Sequence, residues 1–111
     1  MSNSVRNRKD KGDRLEEFVI ENFKDFDTST EKASKEFGDV ISKLFLTECK
    51  NHNTKSLSID VNHWKKIRQR ATALEKIPLY VRRNSEGDTF VVLDFLHFKE
   101  LMEAFHYAER R

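Results

Sequence analysis

A mixed α/β domain, with a central mixed sheet and helices packed on its faces, is what this sequence predicts. Three observations lead there. Apolar residues recur at helical spacing in three separate segments. Short runs rich in Val, Ile, Leu and Phe lie between them. The order along the chain is therefore helix, strands, helix, strands, helix. With 111 residues, the chain has room for one hydrophobic core and hardly for two.

The elements follow in order. Residues 1–10 read as a flexible basic arm, and residues 11–111 as a single domain. From about Lys11, Leu15, Phe18, Val19, Phe23 and Phe26 recur as one face of an amphipathic helix. "TSTEKASKEF" carries Ser and Thr caps and predicts a short helix or an ordered loop. "DVIS" and "KLFLTECK" predict a strand pair, and "SLSID" is a candidate third strand after the polar turn "NHNTK". Asn62 is placed to cap the next helix, whose buried face would hold Trp64, Ile67, Ala71 and Leu74 before Pro78 ends it. "LYVRR" and "TFVVLDF" read as strands joined by the turn "NSEGD". The final segment, "FKELMEAFHYAERR", predicts a helix with Phe98, Leu101, Met102 and Phe105 turned inward.

Hydrophobic residues make up 37% of the chain and charged residues 36%, the balance of a water-soluble domain with a modest core. No apolar run approaches the roughly 20 residues that cross a bilayer, and "MSNSVRNRKDKGDR" lacks the apolar stretch of a signal peptide. The single cysteine, Cys49, forms no internal disulfide and suits a reducing cytoplasm, so a cytoplasmic protein is expected. No Cys and His residues have zinc-site spacing. The net charge of +2 hides a segregation: +3 over residues 1–14, −4 over 15–61, +6 over 62–83 and −3 over 84–111. Clustered positive charge attracts polyanions such as nucleic acid, although a solvated helix face with a charged tail has the same composition.

The stretch "GDVISKLFLTECK" raises the chemical question. An apolar hairpin begins with Asp39 and ends with Glu48 and Lys50. Strand alternation points Glu48 and Lys50 to one side, with Leu44 and Leu46 beneath them, and Asp39 lies beside Glu48 if the hairpin pairs in that register. Two such carboxylates repel unless a cation sits between them. Mg²⁺ is the natural candidate, because it takes one or two carboxylates together with waters and phosphate oxygens. The backbone carbonyl of Cys49 is a further candidate ligand, and an ammonium at Lys50 could orient an attacking water or stabilise charge on a phosphate. A Glu–Lys pair at an exposed strand end, with Asp39 as a turn residue, is the plainer alternative.

The D–x(n)–E–x–K arrangement of "GDV" and "ECK" resembles the signature of the PD-(D/E)xK nuclease superfamily. Within it, "KGDRLEE" at residues 11–17 resembles the K-G-x-x-x-E opening of archaeal and phage Holliday-junction resolvases. "WKKIRQRA" and "KIPLYVRR" are similar to the helix and strand that follow the E-x-K strand there. The chain departs from the pattern in its short Asp39–Glu48 spacing and in Gly38, where the family has proline. The resemblance implies a restriction-endonuclease-like core and a Mg²⁺-dependent endodeoxyribonuclease, with Mn²⁺ able to substitute, that cuts four-way junctions as a homodimer. It would work in the host cytoplasm if phage-encoded. It implies catalytic roles for Glu16, Asp39, Glu48 and Lys50. Asp39, Glu48 and the Cys49 carbonyl would hold the metal, and Glu16 is a further possible ligand. A Ser or Thr among Thr28, Ser29, Thr30 and Ser34 assists in some relatives, with no clear choice here. Phosphate contacts are assigned to Arg6, Arg8, Lys9, Lys11, Arg14, Lys65, Lys66, Arg68 and Arg70.

The remaining candidates read as structural. His52, His63, His97 and His106 are scattered as surface or capping residues, Trp64 sits at core spacing, and the nine phenylalanines fit core stripes. Rival readings are a nuclease of the same fold with another DNA substrate, a non-catalytic DNA-binding module, and an unrelated α+β interaction protein.

Overall fold

In the computed structural model, which describes residues 14–34 and 39–109, the chain is mixed α/β with a five-stranded mixed sheet and three helices. The helix α1 covers residues 14–23 of the described chain. Then come β1 (Glu31–Lys32), β2 (Val40–Ile41), β3 (Phe45–Asn51), α2 (Val61–Ala73), β4 (Ile77–Arg83), β5 (Thr89–Val92) and α3 (Phe95–Glu109). The sheet order is β1-β2-β3-β4-β5. All neighbours are antiparallel except β3 and β4, which run parallel with Phe45 beside Ile77 and Lys50 beside Arg82. Parallel neighbours need a crossover, and α2 is that crossover. Among the described residues no helix is long and apolar enough to cross a membrane.

Alternation along β3 and β4 divides the core in two. Val40, Cys49 and Val81 face α1 and pack with its Leu15 and Val19, one turn apart. Leu46 and Tyr80 belong to the opposite side, where Tyr80 meets Trp64 of α2 edge-on at 4.9 Å. Ile67 and Ala71 are fully buried on α2. Burying each such aliphatic side chain stabilises the fold by about 1.5–3 kcal/mol. The two faces therefore hold α1 and α2 against the same two central strands.

Several elements differ from the expectation. "TSTEKASKEF" contributes a short edge strand, because Glu31 and Lys32 pair with Ile41 and Val40. Its serine and threonine close a turn: Ser29 Oγ donates to Asp27 Oδ1 at 2.5 Å and Thr30 Oγ1 to Asp27 O at 2.8 Å. "SLSID" forms no strand, since β3 already has β2 and β4 on its two edges. The cap of α2 is Asp60 rather than Asn62, its carboxylate accepting the N–H groups of Asn62 and His63. Leu44 lies in the β2–β3 turn, not under Glu48, and is exposed.

Pro78 does not end α2; it is buried inside β4. The helix closes earlier, with Glu75 at φ 57° and Lys76 N–H donating to Ala71 O at 2.8 Å. That left-handed conformation, usual for glycine after a helix, turns the chain directly into the strand. Pro78 is tolerated because Ile77 supplies the N–H to Leu44 O on the β3 side, and pairing with β5 begins only at Tyr80.

The largest correction concerns the phenylalanines. Phe18, Phe26, Phe90, Phe95, Phe98 and Phe105 are exposed, as is Met102, and α3 buries no residue. Of its expected inward face only Leu101 is half-buried, because α1 and α2 already occupy the two sides of the central strands.

Candidate functional site

The site residues meet at the far end of β3. Asp39 lies just before β2, and it brackets Glu48 with two bonds. Its N–H donates to Thr47 O at 3.0 Å, and its Oδ2 accepts the N–H of Cys49 at 2.8 Å. The two acids are therefore neighbours across the hairpin, as the strand pattern suggests. Burial, with the negative charge of Asp39 adding to it, pushes the Glu48 carboxyl from an ordinary 4.5 up to about 7. Arg82 and Arg70 act the other way on Glu48, and Glu16 adds a further negative charge. The half-buried Glu16 also approaches Lys32 Nζ at 4.0 Å, whereas its neighbour Glu17 is exposed.

Strand parity locates the Cys49 carbonyl. Leu44 O and His52 N–H bond to β4, so the even residues of β3 direct their main-chain groups to that side. The odd residues turn theirs to the β2 side, where Phe45 O accepts from Ser42 and Thr47 O from Asp39. The Cys49 carbonyl thus points to the side that holds the Asp39 carboxylate. Its thiol packs with Leu15, Val19, Val40 and Val81. Burial, followed by the nearby Asp39, pushes that thiol far up, which removes Cys49 as a nucleophile.

Lys50 follows on the Glu48 side of the strand and is exposed, beside Arg82 of β4. Two carboxylates, a main-chain carbonyl and an exposed ammonium are thus gathered at one strand end. Among the described residues no group of three or more His, Cys, Asp or Glu side chains could hold a metal ion. Asp39, Glu48 and the Cys49 carbonyl offer oxygen atoms, the donors that a hard cation takes together with waters and phosphate oxygens.

Three residues missed by the sequence reading complete the surroundings. Tyr80 OH lies 3.1 Å from His63 Nδ1, and His63 Nε2 lies 4.0 Å from Glu48 Oε1. Arg82 stacks its guanidinium over the Tyr80 ring at 3.8 Å and is 3% exposed, with Nε and Nη1 making no hydrogen bond. The chain Arg82–Tyr80–His63–Glu48 links α2 and β4 to the acid. His63, its side chain 41% exposed, therefore stands at the surface while it joins Tyr80 to the acid. Its signal was its position four residues before the buried Ile67. Tyr80 and Arg82 share the two-residue alternation of Glu48 and Lys50, but only the parallel register makes them neighbours.

The basic residues divide. Arg6, Arg8, Lys9 and Lys11 lie outside the described residues, as does Gly38. Lys65, Lys66 and Arg68 are exposed on α2, whereas Arg70 is near enough to act on Glu48. Arg14 lines a cleft of about 320 Å³ with Asn51, His52, Asn53, Arg83 and Asn84, directly after the Lys50 strand end. Of the candidate hydroxyls, Ser29 and Thr30 are engaged in the Asp27 turn, and Thr28 and Ser34 are exposed. No protein-family model, curated protein or solved structure matches the chain.

Proposed function

We propose that this chain is a metal-dependent DNA endonuclease with a restriction-endonuclease-like core, acting on four-way junctions. The observation that carries the reading is the bracketing of Glu48 by Asp39, with Lys50 two residues on along the same strand. Burial, with Asp39 beside it, holds the Glu48 carboxyl up to about 7, and perturbed carboxyls of this kind cluster at functional sites.

Asp39, Glu48 and the Cys49 carbonyl would hold Mg²⁺. That ion supplies a Lewis acid for a phosphoryl oxygen and lowers the pKa of a bound water. Lys50, exposed on the Glu48 side, holds the attacking water or stabilises charge developing on the phosphate. Arg70 and Arg82 add positive charge around the acids, and His63 packs beside Glu48 from α2. Arg14 and the cleft below it supply a phosphate contact where the strand ends. Contacts from basic groups to phosphates position a protein without reading sequence, which favours a choice by DNA shape.

The test is cleavage of a labelled four-way junction beside a linear duplex of the same sequence, with Mg²⁺ or with chelator. Paired, nearly symmetric cuts in the junction, lost with chelator and in Glu48→Gln, are expected. Cleavage of both substrates alike would leave a nuclease of the same fold with another substrate. No metal-dependent cleavage of any DNA would remove the enzyme reading altogether.

A further inference from the structure

The cleft of about 320 Å³ where β3 and β4 end is larger than a single phosphate contact requires. Its walls are tied together by the chain itself. His52 N–H donates to Arg83 O at 2.8 Å and Ser85 N–H to Thr54 O at 3.0 Å, joining the segment after β3 to the end of β4. The buried Asn84 amide is fully engaged. Its Oδ1 accepts the N–H groups of Glu86 and Asp88, and its Nδ2 donates to Lys55 O and Asp88 Oδ2. Arg83 is held as well, its Nε donating to Thr89 Oγ1 at 2.8 Å and its guanidinium lying over the Phe18 ring at 4.8 Å. Arg14 completes the lining from α1 and is exposed. Among the described residues, two guanidinium groups and no carboxylate side chain line the cleft.

We infer that this cleft binds one unpaired nucleotide of a DNA strand, with its phosphate on Arg14 and Arg83 and its base inside the cleft. A fixed positive wall with no opposing acid selects an anion. The size selects more than that. A volume of 320 Å³ falls within the roughly 300–1,000 Å³ of small-molecule sites, well above what a lone phosphate fills. The other lining groups include the Asn53 amide and the Ser85 hydroxyl, both on exposed residues, which offer the donors and acceptors that meet base edges. Guanidinium planes also stack on unpaired bases. A base inside a duplex is paired and stacked on both faces, so it cannot enter. The choice of a nucleotide over other organic phosphates rests on the nuclease reading, because the cleft follows directly on the strand end that carries Lys50. It narrows the substrate to DNA with an unpaired nucleotide beside the cut. Taking a nucleotide out of the stack costs least where pairing is already interrupted, as at a branch point.

The experiment is an NMR titration of the full chain in chelator, read from its amide shifts. The probes are deoxyadenosine 5′-monophosphate, inorganic phosphate and deoxyadenosine alone. The readout needs neither metal nor cleavage, so its outcome is separate from that of the nuclease reading. Saturable shifts at Asn53, Ser85 and Gly87 are expected with the monophosphate, which should bind roughly tenfold more tightly than phosphate. Arg14→Gln, at an exposed position, should weaken that binding by a similar factor. Arg83→Gln should do the same, with its shifts outside the cleft reporting its fold; if it unfolds, Arg14→Gln decides. A second titration compares a duplex carrying one extra unpaired nucleotide with the fully paired duplex. The wild type should prefer the former by roughly tenfold, and Arg14→Gln should lose the preference. Equal affinity for phosphate and the monophosphate would overturn the inference in favour of a simple anion site. Shifts confined to other parts of the chain, binding unaltered by Arg14→Gln, or equal affinity for the two duplexes would overturn it as well.

Discussion

Asp39 Oδ2 accepts the main-chain N–H of Cys49 at 2.8 Å, tying the start of β2 to the strand that carries Glu48 and Lys50. One carboxylate thereby has a structural and an electrostatic role. It satisfies a strand N–H beyond the end of β2, and its charge helps to raise Glu48.

These two roles separate by substitution. Asp39→Asn keeps an oxygen for the Cys49 N–H and should fold normally, yet lose cleavage while binding DNA at least as well as the wild type. Asp39→Ala removes the acceptor as well, and should cost about 1–3 kcal/mol of stability. Urea denaturation of both variants checks this, and equal stability would show that the bond contributes nothing.

The Glu48 carboxyl makes stability depend on pH. A carboxyl raised from 4.5 to about 7 favours folding in its protonated form. That contribution is complete below pH 4.5 and is lost as pH rises through 7. A displacement of this size is worth at most about 3 kcal/mol, and solvent screening lowers it because the Glu48 side chain is still 20% exposed. Chelator-treated protein should therefore weaken from pH 4.5 to 7.5, and Glu48→Gln should flatten the profile. Urea midpoints across that range measure it, and an unchanged slope in the variant would assign the effect to another group.

Lys50→Ala should slow the chemical step by about 10²–10⁴-fold. DNA affinity should change little, because one exposed cation among many adds little to binding. Single-turnover cleavage beside equilibrium binding separates the two quantities. Equal losses in both would demote Lys50 to a phosphate contact.

Binding should weaken steeply with salt, each phosphate contact adding about −0.9 to the slope of log K against log salt. Deleting residues 1–9, with Arg6, Arg8 and Lys9, should flatten that slope by two to three such contacts, and Arg14→Ala by one. A slope unaltered by the deletion would mean that the arm makes no contact with DNA.

By itself the sequence determined the mixed α/β class, the main strands and helices, and the meeting of Asp39 with Glu48. Those features depend on apolar spacing and strand alternation, which are local and periodic. Glu16 is half-buried and Glu17 exposed, a difference set by where each falls on the turn of α1. Only the tertiary structure decided what the register joins. Tyr80 and Arg82 become neighbours of the acid because β4 runs parallel to β3, and His63 reaches it because α2 crosses above them. The same limit explains the errors. An apolar stripe shows that a helix will be covered, not by what, so α3 read as core although α1 and α2 already fill both sides of the central strands. "SLSID" has strand-like residues, but the edges of β3 were taken by β2 and β4. Competition for the same surface is settled between elements distant in sequence, and no local pattern records its outcome.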